Sequence, residues 1–238
     1  MSFMKYKKGF TLVEVLIALV VVSTIFALTI SVNRSVVNNS NMAIKKASQT
    51  LNDVVQSLLD DMNYYSGDDA FGDLREIRLA DGQPVSGERK FQDLFKNMIK
   101  LNERHKEGEI LLCPILISQS EIQNDGACFM SEDGIVWGIP ETDFRTKNIV
   151  KLSRRGYETA YVPITIYPNC KFGEADTNGV SRCTKDINHE TYFDDEAVVF
   201  AIRRDGDIRV YSRYDCTNNE HKGRLQCRTA EIISNESF

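Results

Sequence analysis

The sequence lacks the short motifs that mark several enzyme classes. It contains no Cys-x-x-Cys pair, no His-Glu-x-x-His, no Gly-x-Ser-x-Gly and no glycine-rich phosphate loop. These absences disfavour zinc ribbons, thioredoxin-like redox sites, zinc proteases, serine hydrolases and P-loop nucleotide binding. Histidine is also scarce, and His105, His189 and His221 lie far apart in polar surroundings. We expect them to be exposed surface residues, and the sequence predicts no catalytic residue.

Charge is almost absent from one long segment. Residues 10–32 carry a single ionisable side chain, Glu14, and no cation lies between Lys8 and Arg34. A helix over this segment would measure about 35 Å, which is enough to cross the hydrocarbon core of a bilayer. A carboxylate in that environment costs a few kcal/mol and marks a functional residue. Glu14 therefore needs a counterion that comes from processing or from another subunit.

The segment before residue 10 is basic. Lys5, Lys7 and Lys8 are its only charged side chains, which predicts that the N-terminus stays in the cytoplasm while the bulk of the chain is exported. A secretory signal peptide has a shorter apolar core that ends at an Ala-x-Ala-like cleavage site, which this segment does not show. A simple single-pass anchor would explain the length of the apolar segment but not the presence of Glu14.

The run Gly9-Phe10-Thr11-Leu12-Val13-Glu14, preceded by Lys7-Lys8, resembles the class III signal of type IV pilins and type II secretion pseudopilins. The resemblance covers about 25 residues, and it implies that a prepilin peptidase cuts between Gly9 and Phe10 on the cytoplasmic side. It also implies N-methylation of Phe10 and a contact in the fibre between Glu14 and the N-terminal amine of a neighbouring subunit. In a low-dielectric setting such an ion pair interacts far more strongly than in water.

The resemblance and the hydropathy pattern together divide the chain into four parts. We expect a leader peptide at 1–9, a transmembrane or fibre-core helix at 10–33, an amphipathic continuation of that helix at 34–63 and an extracytoplasmic domain at 64–238. No Pro or Gly interrupts residues 10–65. In the continuation, apolar residues recur mainly at steps of three, four and seven, which is the helical period. They are Val37, Ile44, Ala47, Leu51, Val54, Leu58 and Met62.

The sequence pattern of the rest of the chain predicts mainly strands. The spacing of Phe91, Leu94, Phe95, Met98 and Leu101 predicts a short helix that ends near Glu107-Gly108. Strand-like segments follow at 110–118, where Pro114 predicts an interruption or an edge, and at 127–130, 135–139, 157–167, 196–203, 207–214 and 229–233. Asp205-Gly206 marks the clearest hairpin. The predicted fold class is α+β, with one long N-terminal helix packed on a mostly antiparallel sheet.

All six cysteines follow the apolar segment, and their number is even. An exported domain lies in a compartment that is oxidising enough for disulfide bonds to form. Six buried free thiols are therefore the weaker alternative. Six cysteines allow fifteen pairings, and only their closeness in sequence favours one of them. The favoured pairs are Cys113 with Cys128, Cys170 with Cys183, and Cys216 with Cys227.

One loop offers oxygen ligands for a cation. Asp176-Thr177-Asn178-Gly179 resembles the start of a calcium loop but lacks the acidic residue that closes one. The further oxygen donors are Asp194, Asp195, Asp205 and Asp207. A turn without an ion is the favoured interpretation, so no cofactor and no metal site is expected, with calcium as the open alternative.

One strand offers a candidate ligand patch. Arg209, Tyr211 and Arg213 alternate onto one face of the predicted strand, as a patch for a DNA backbone would require. A solvated sheet face is the favoured interpretation. The net charge is −5, and loss of the three leader lysines would lower it to −8, which disfavours nucleic-acid binding.

These features predict a structural subunit rather than an enzyme. The resemblance implies a minor pilin or minor pseudopilin in the bacterial inner membrane that passes into a type IV pilus or a secretion pseudopilus. Its implied partners are other pilin or pseudopilin subunits, the prepilin peptidase and N-methyltransferase, the inner-membrane assembly platform and membrane lipid. The alternative is a ligand-binding minor pilin that acts as an adhesin or captures DNA.

Overall fold

Helix α1 spans residues 40–60 and buries one apolar face. The computed structural model describes residues 40–66, 69–101, 110–154, 157–172, 175, 177–183, 193, 196–214, 216–220 and 224–234. The buried positions of α1 follow the predicted helical spacing and include Ile44, Ala47, Leu51, Val54 and Leu58. The helix gives way to a turn in which the Tyr64 N–H donates to the Asp61 carbonyl at 3.0 Å. The predicted course of this helix before residue 40 lies outside the described residues.

Ten strands form two sheets in the described residues. They are β1 Ile77–Arg78, β2 Pro84–Val85, β3 Ile110–Ser118, β4 Glu121–Met130, β5 Val136–Gly138, β6 Val150–Arg154, β7 Tyr157–Tyr167, β8 Val180–Arg182, β9 Val198–Ile202 and β10 Ile208–Tyr211. Strands β1 and β2 pair with each other, and the other eight form one sheet in the order β10-β9-β7-β5-β4-β3-β8, with β6 paired to β7. Only the β3–β8 pairing is parallel among these ladders. The predicted α+β class with a mostly antiparallel sheet is confirmed.

Among the described elements, helix α2 spans Lys90–Met98 and helix α3 spans Leu225–Ser234. Helix α2 confirms the predicted short helix, but it ends at Met98, where Ile99 adopts an extended conformation, and not near Glu107-Gly108. Helix α3 replaces the strand predicted at 229–233. Leu225 and Thr229 are buried one helical turn apart, and the Thr229 hydroxyl donates to the Leu225 carbonyl at 2.8 Å. The β-branched residues favour a strand, but a short apolar run does not by itself distinguish a strand from a buried helix.

Both faces of the large sheet are buried, and its side chains alternate between them. Along β9, Val198, Phe200 and Ile202 join the cluster that contains the apolar residues of α1 and α2. Val199 and Ala201 join a second cluster. We call the first side the helical face and the second side the opposite face. A sheet buried on both faces has near-continuous apolar strands, as β9 shows.

The middle of β3 bends over the opposite face. The β3–β4 register shifts between Cys113 and Ile115, so Pro114 marks a bulge in an interior strand rather than an edge. The bend is held by two hydrogen bonds, from the Leu116 N–H to the Thr165 hydroxyl at 3.0 Å and from the Tyr167 hydroxyl to the Pro114 carbonyl at 3.0 Å. Bulges of this kind increase strand bending and twist.

The β9–β10 hairpin positions α1 on the sheet. Its turn contains Gly206, whose φ is +89° and whose position leaves no room for a side chain. A Cβ atom built there would lie 2.3 Å from Leu59 Cδ1 and 3.3 Å from Val55 Cγ1. The turn backbone therefore packs directly against the C-terminal half of α1.

Candidate functional site

The residues that the sequence assigns to processing and assembly lie outside the described part of the chain. They are Gly9, Phe10 and Glu14. The described residues begin with α1, the segment predicted to continue the apolar helix. Its fixed contacts include the packing of Val55 and Leu59 on the hairpin turn and an ion pair between Lys46 and Asp133 at 3.1 Å. These contacts hold the helix to the domain that follows it.

The structure does not assemble Arg209, Tyr211 and Arg213 into one exposed patch. Tyr211 is buried at 3% exposure, so it cannot stack on a base at the surface. Arg209 forms an ion pair with Asp207 at 2.9 Å. Arg213 lies beyond the end of β10, and its guanidinium stacks 5.9 Å from the centre of the Phe193 ring. The interpretation of these three residues as a common DNA-binding face is therefore not supported by their positions.

The acidic residues of the same hairpin are engaged by neighbouring arginines. Arg203 Nε donates to Asp205 at 2.6 Å, and Asp207 accepts from Arg209 Nε at 3.0 Å and from the Tyr161 hydroxyl at 2.8 Å. The Arg203 guanidinium holds the pKa of Asp205 below its usual range. Asp176, Asp194 and Asp195, the other proposed oxygen donors, lie outside the described residues. Within the described segments, no three carboxylate, histidine or cysteine side chains gather as metal ligands do.

Two disulfide bonds close loops at the ends of the sheet. Cys170 is bonded to Cys183, next to β8, and Cys216 is bonded to Cys227 at the start of α3. Both are pairs that closeness in sequence favours. Restricting a polar loop in this way stabilises a fold by about 2 to 4 kcal/mol in the usual accounting. The third pair of that prediction differs, since Cys113 and Cys128 are unbonded thiols in the structure.

A buried ionic cluster has no counterpart among the sequence predictions. Lys90 is only 1% exposed, and its Nζ donates to the Asp73 carbonyl at 3.1 Å and lies 3.8 Å from the Asp73 carboxylate. Its ammonium group also lies 4.6 Å from the centre of the Tyr65 ring, in a cation–π contact. Arg75 binds Asp73 through two hydrogen bonds of 2.9 Å.

The protonation states in this cluster follow from its contacts. Hydrogen bonds from Arg75 hold the pKa of Asp73 well below its usual range, whereas burial lowers the pKa of Lys90. Burial and the nearby Asp73 carboxylate raise the pKa of Tyr65, whose hydroxyl is buried without a hydrogen-bond partner. The cluster therefore holds one ionised carboxylate between two cations. The cluster fastens the segment before β1 to α2.

The comparison with protein families identifies one segment. Residues 4–30 match the family model of the prokaryotic N-terminal methylation motif. The chain carries a class III prepilin signal. No curated protein and no solved structure matches the chain significantly. The family assignment therefore rests on the N-terminal segment, and it is consistent with the type IV pilin-like family.

The prepilin signal spans Gly9, Phe10 and Glu14. It implies processing by a prepilin peptidase and assembly with other pilin subunits. It also indicates membrane-anchored pilus assembly and a structural subunit rather than an enzyme. Among the residues that the structure describes, no helix combines the length and the apolarity needed to cross a bilayer.

Proposed function

We propose that the chain is a minor pilin or minor pseudopilin, a structural subunit of a type IV pilus or a type II secretion pseudopilus. The observation that carries this proposal is the methylation motif at residues 4–30, which includes the cleavage site and the acidic residue of the apolar segment. A length of 238 residues and a large disulfide-bonded domain support a minor rather than a major subunit.

The first step of the proposed mechanism is processing. The prepilin peptidase removes residues 1–9 and leaves Phe10 as the new N-terminus, which is then methylated. Gly9 lets the protease approach the backbone closely, because it has no side chain. Cleavage also removes the three lysines that precede Gly9, and it creates a positive amine at the edge of the apolar segment.

The second step is assembly. The Glu14 carboxylate of an incoming subunit pairs with the N-terminal amine of a subunit at the base of the fibre. In an apolar environment this pair is strongly favoured over two separated charges, because each charge alone would remain unpaired in a low dielectric. Apolar helices of neighbouring subunits then pack together and replace their contacts with lipid.

The proposed architecture joins these steps to the domain. A helix that continues from Phe10 to Asp60 without Pro or Gly would be roughly 75 Å long. The described part of this helix is amphipathic and docks on the sheet through Val55 and Leu59. In this proposal the apolar segment enters the fibre core, and the described domain follows it in the chain through α1.

The test replaces Glu14 by alanine in the full chain in its native host. The variant Glu14→Ala should be cleaved like the wild type, because the peptidase site at Gly9 and Phe10 is intact. It should enter sheared fibres at least tenfold less, because the incoming subunit has lost its counterion. Immunoblots of membrane and fibre fractions measure both quantities.

Thr29→Ala is the matched control, since it truncates a side chain in the same apolar segment without removing a charge. It should be cleaved and incorporated normally. Incorporation of Glu14→Ala at the wild-type level would overturn the assembly mechanism.

The ligand-binding alternative has less support from the described residues. Arg209 is ion-paired, Tyr211 is buried and the overall charge is negative, so the hairpin offers no concentrated basic surface for DNA. The proposed role is therefore structural.

A further inference from the structure

Cys113 and Cys128 lie on the same face of neighbouring strands. In the β3–β4 ladder, Cys113 is opposite Gly126 and Leu111 is opposite Cys128. Residues two apart along a strand point to the same face, so the two cysteines are diagonal neighbours. Both are buried, with exposed fractions of 1% and 8%.

The Cys113 side chain reaches across β4 toward Gly138 on β5. Diagonal neighbours in a flat ladder are about 7–8 Å apart, which is too far for a disulfide bond. Here the register shift after Cys113 turns β3 across the sheet. The Cys113 sulfur lies 3.6 Å from where a Cβ atom of Gly138 would stand, and Gly138 is the direct partner of Cys128. The nearby Cys128 thiol adds to the effect of burial in raising the pKa of the Cys113 thiol.

Glycines keep the space around this pair open. Gly126 is opposite Cys113, and Gly138 is opposite Cys128 in the adjoining ladder. A Cβ atom built on Gly126 would lie 2.5 Å from the Ile115 side chain, and one built on Gly138 would lie 2.7 Å from it. Neither glycine can carry a side chain without displacing Ile115, so no side chain at these positions separates the two sulfurs.

We propose that Cys113 and Cys128 are a modification site, a dithiol that is oxidised to a third disulfide bond when the chain is exported. The reaction joins the two sulfur atoms and releases two protons and two electrons. The acceptor is the disulfide of a thiol oxidoreductase, which is reduced to its dithiol through a mixed disulfide. The same acceptor class accounts for the bonds Cys170–Cys183 and Cys216–Cys227.

Burial of the two cysteines means that the disulfide bond must form before folding is complete. The thiolate is the reactive form of cysteine, and desolvation raises the pKa of the Cys113 thiol in the folded chain. Oxidation therefore takes place while β3 and β4 are still accessible. A chain that folds before it meets the oxidant would keep the dithiol.

The test reads the state of each cysteine in the full chain isolated from native membranes. Thiols are blocked with N-ethylmaleimide in denaturant, and the chain is digested without reductant for mass spectrometry. The expected result is a linked peptide pair that contains Cys113 and Cys128, with neither cysteine blocked. Complete blocking of both cysteines, or a link from either one to another cysteine, would overturn the proposal.

A variant provides an internal control. In Cys113→Ser, Cys128 should become the only cysteine that reacts with the maleimide, while the other two bonds stay intact. Retention of a bonded Cys128 in this variant would also contradict the proposal. The state of these cysteines is read on single chains, so this result is independent of whether the chain assembles into a fibre.

Discussion

At the scale of single residues, Lys90 is the side chain whose environment departs furthest from what its type predicts. Lysine is almost never fully buried unless it is paired. Lys90 is buried at 1% exposure, and its ammonium group is compensated by both the carbonyl and the carboxylate of Asp73. Removing one partner of a buried ion pair leaves an uncompensated charge, which costs more than the pair contributes.

We predict that Asp73→Asn lowers the free energy of unfolding by about 3 kcal/mol, because Lys90 keeps its buried charge and loses its counterion. The double variant Asp73→Asn with Lys90→Met should recover at least half of that loss, because the cation is replaced by an apolar chain. Urea unfolding measures both. Asp125→Asn is the control, since Asp125 pairs with Arg182 at the surface and should change stability by less than about 1 kcal/mol. Equal losses in Asp73→Asn and Asp125→Asn would contradict this account of the cluster.

The same carboxylate predicts a dependence on pH. Arg75 holds the pKa of Asp73 below its value of roughly 4 in an unfolded chain. A depressed pKa contributes stability that is fully present above the unfolded value and is lost as the pH falls below it. Stability of the wild type should therefore fall more steeply between about pH 4 and pH 2 than that of Asp73→Asn. Parallel curves for the two proteins would show that Asp73 is not responsible.

The residues that the sequence could and could not identify differ in physical type. Glu14 stands out because one charge in an apolar segment is visible without any structure. The pairs of Cys170 with Cys183 and Cys216 with Cys227 follow from their closeness in sequence. Lys90 could not be found in this way, because its partner Asp73 is distant in sequence and no local pattern distinguishes it from a surface lysine.

At the scale of elements, the contact between the β9–β10 turn and α1 is the most sharply defined. Gly206 adopts a positive φ and also lies against Leu59, so two separate effects oppose a side chain there. Gly82 has a similar φ of +82°, but no atom lies within 4 Å of the place that a Cβ atom would take, which makes it a control for backbone strain alone.

We predict that Gly82→Ala lowers the free energy of unfolding by about 1 kcal/mol, which is the strain of a left-handed alanine. Gly206→Ala should lower it by about 3 kcal/mol, because a clash with Leu59 is added to that strain. The difference between the two variants measures the contact of the hairpin with α1. If both variants lose the same stability, the turn does not pack on the helix as described.

Element boundaries show where sequence patterns succeed. Strands β3 and β7 have the predicted bounds. Both are long segments, and β3 is rich in Ile and Leu, whereas β7 is rich in β-branched and aromatic residues. The strand prediction at 229–233 is wrong because a short run with Thr and two Ile residues carries too little periodicity to show the helical spacing of α3. Pro114 predicts the interruption of β3, whereas the contact of Ile115 with Gly126 and Gly138 is not predictable, because these glycines lie on other strands.

At the scale of the whole molecule, one sheet connects both buried clusters. Trp137 reports on the helical face, where its ring centre lies 5.1 Å from that of Phe95 and its indole N–H donates to the Ser131 hydroxyl at 3.0 Å. Its neighbour Val136 belongs to the opposite face. The buried clusters on the two faces share every central strand of the sheet, so neither cluster should unfold alone.

We predict that the fluorescence of Trp137, the single tryptophan, changes in the same urea transition as the loss of amide-exchange protection in β3 and β9. The full chain in mild detergent is the suitable sample. Loss of protection in β3 at a lower urea concentration, with native Trp137 fluorescence, would show that the opposite face unfolds separately.

The central claim is that a prepilin peptidase converts this chain into a fibre subunit by cutting before Phe10. Mass spectrometry of the mature N-terminus, on protein isolated from native membranes or fibres, tests it most directly. The account predicts a chain that lacks residues 1–9 and begins with N-methylated Phe10. A chain that begins at Met1, or one trimmed beyond Ala27 by the general export peptidase, would contradict it.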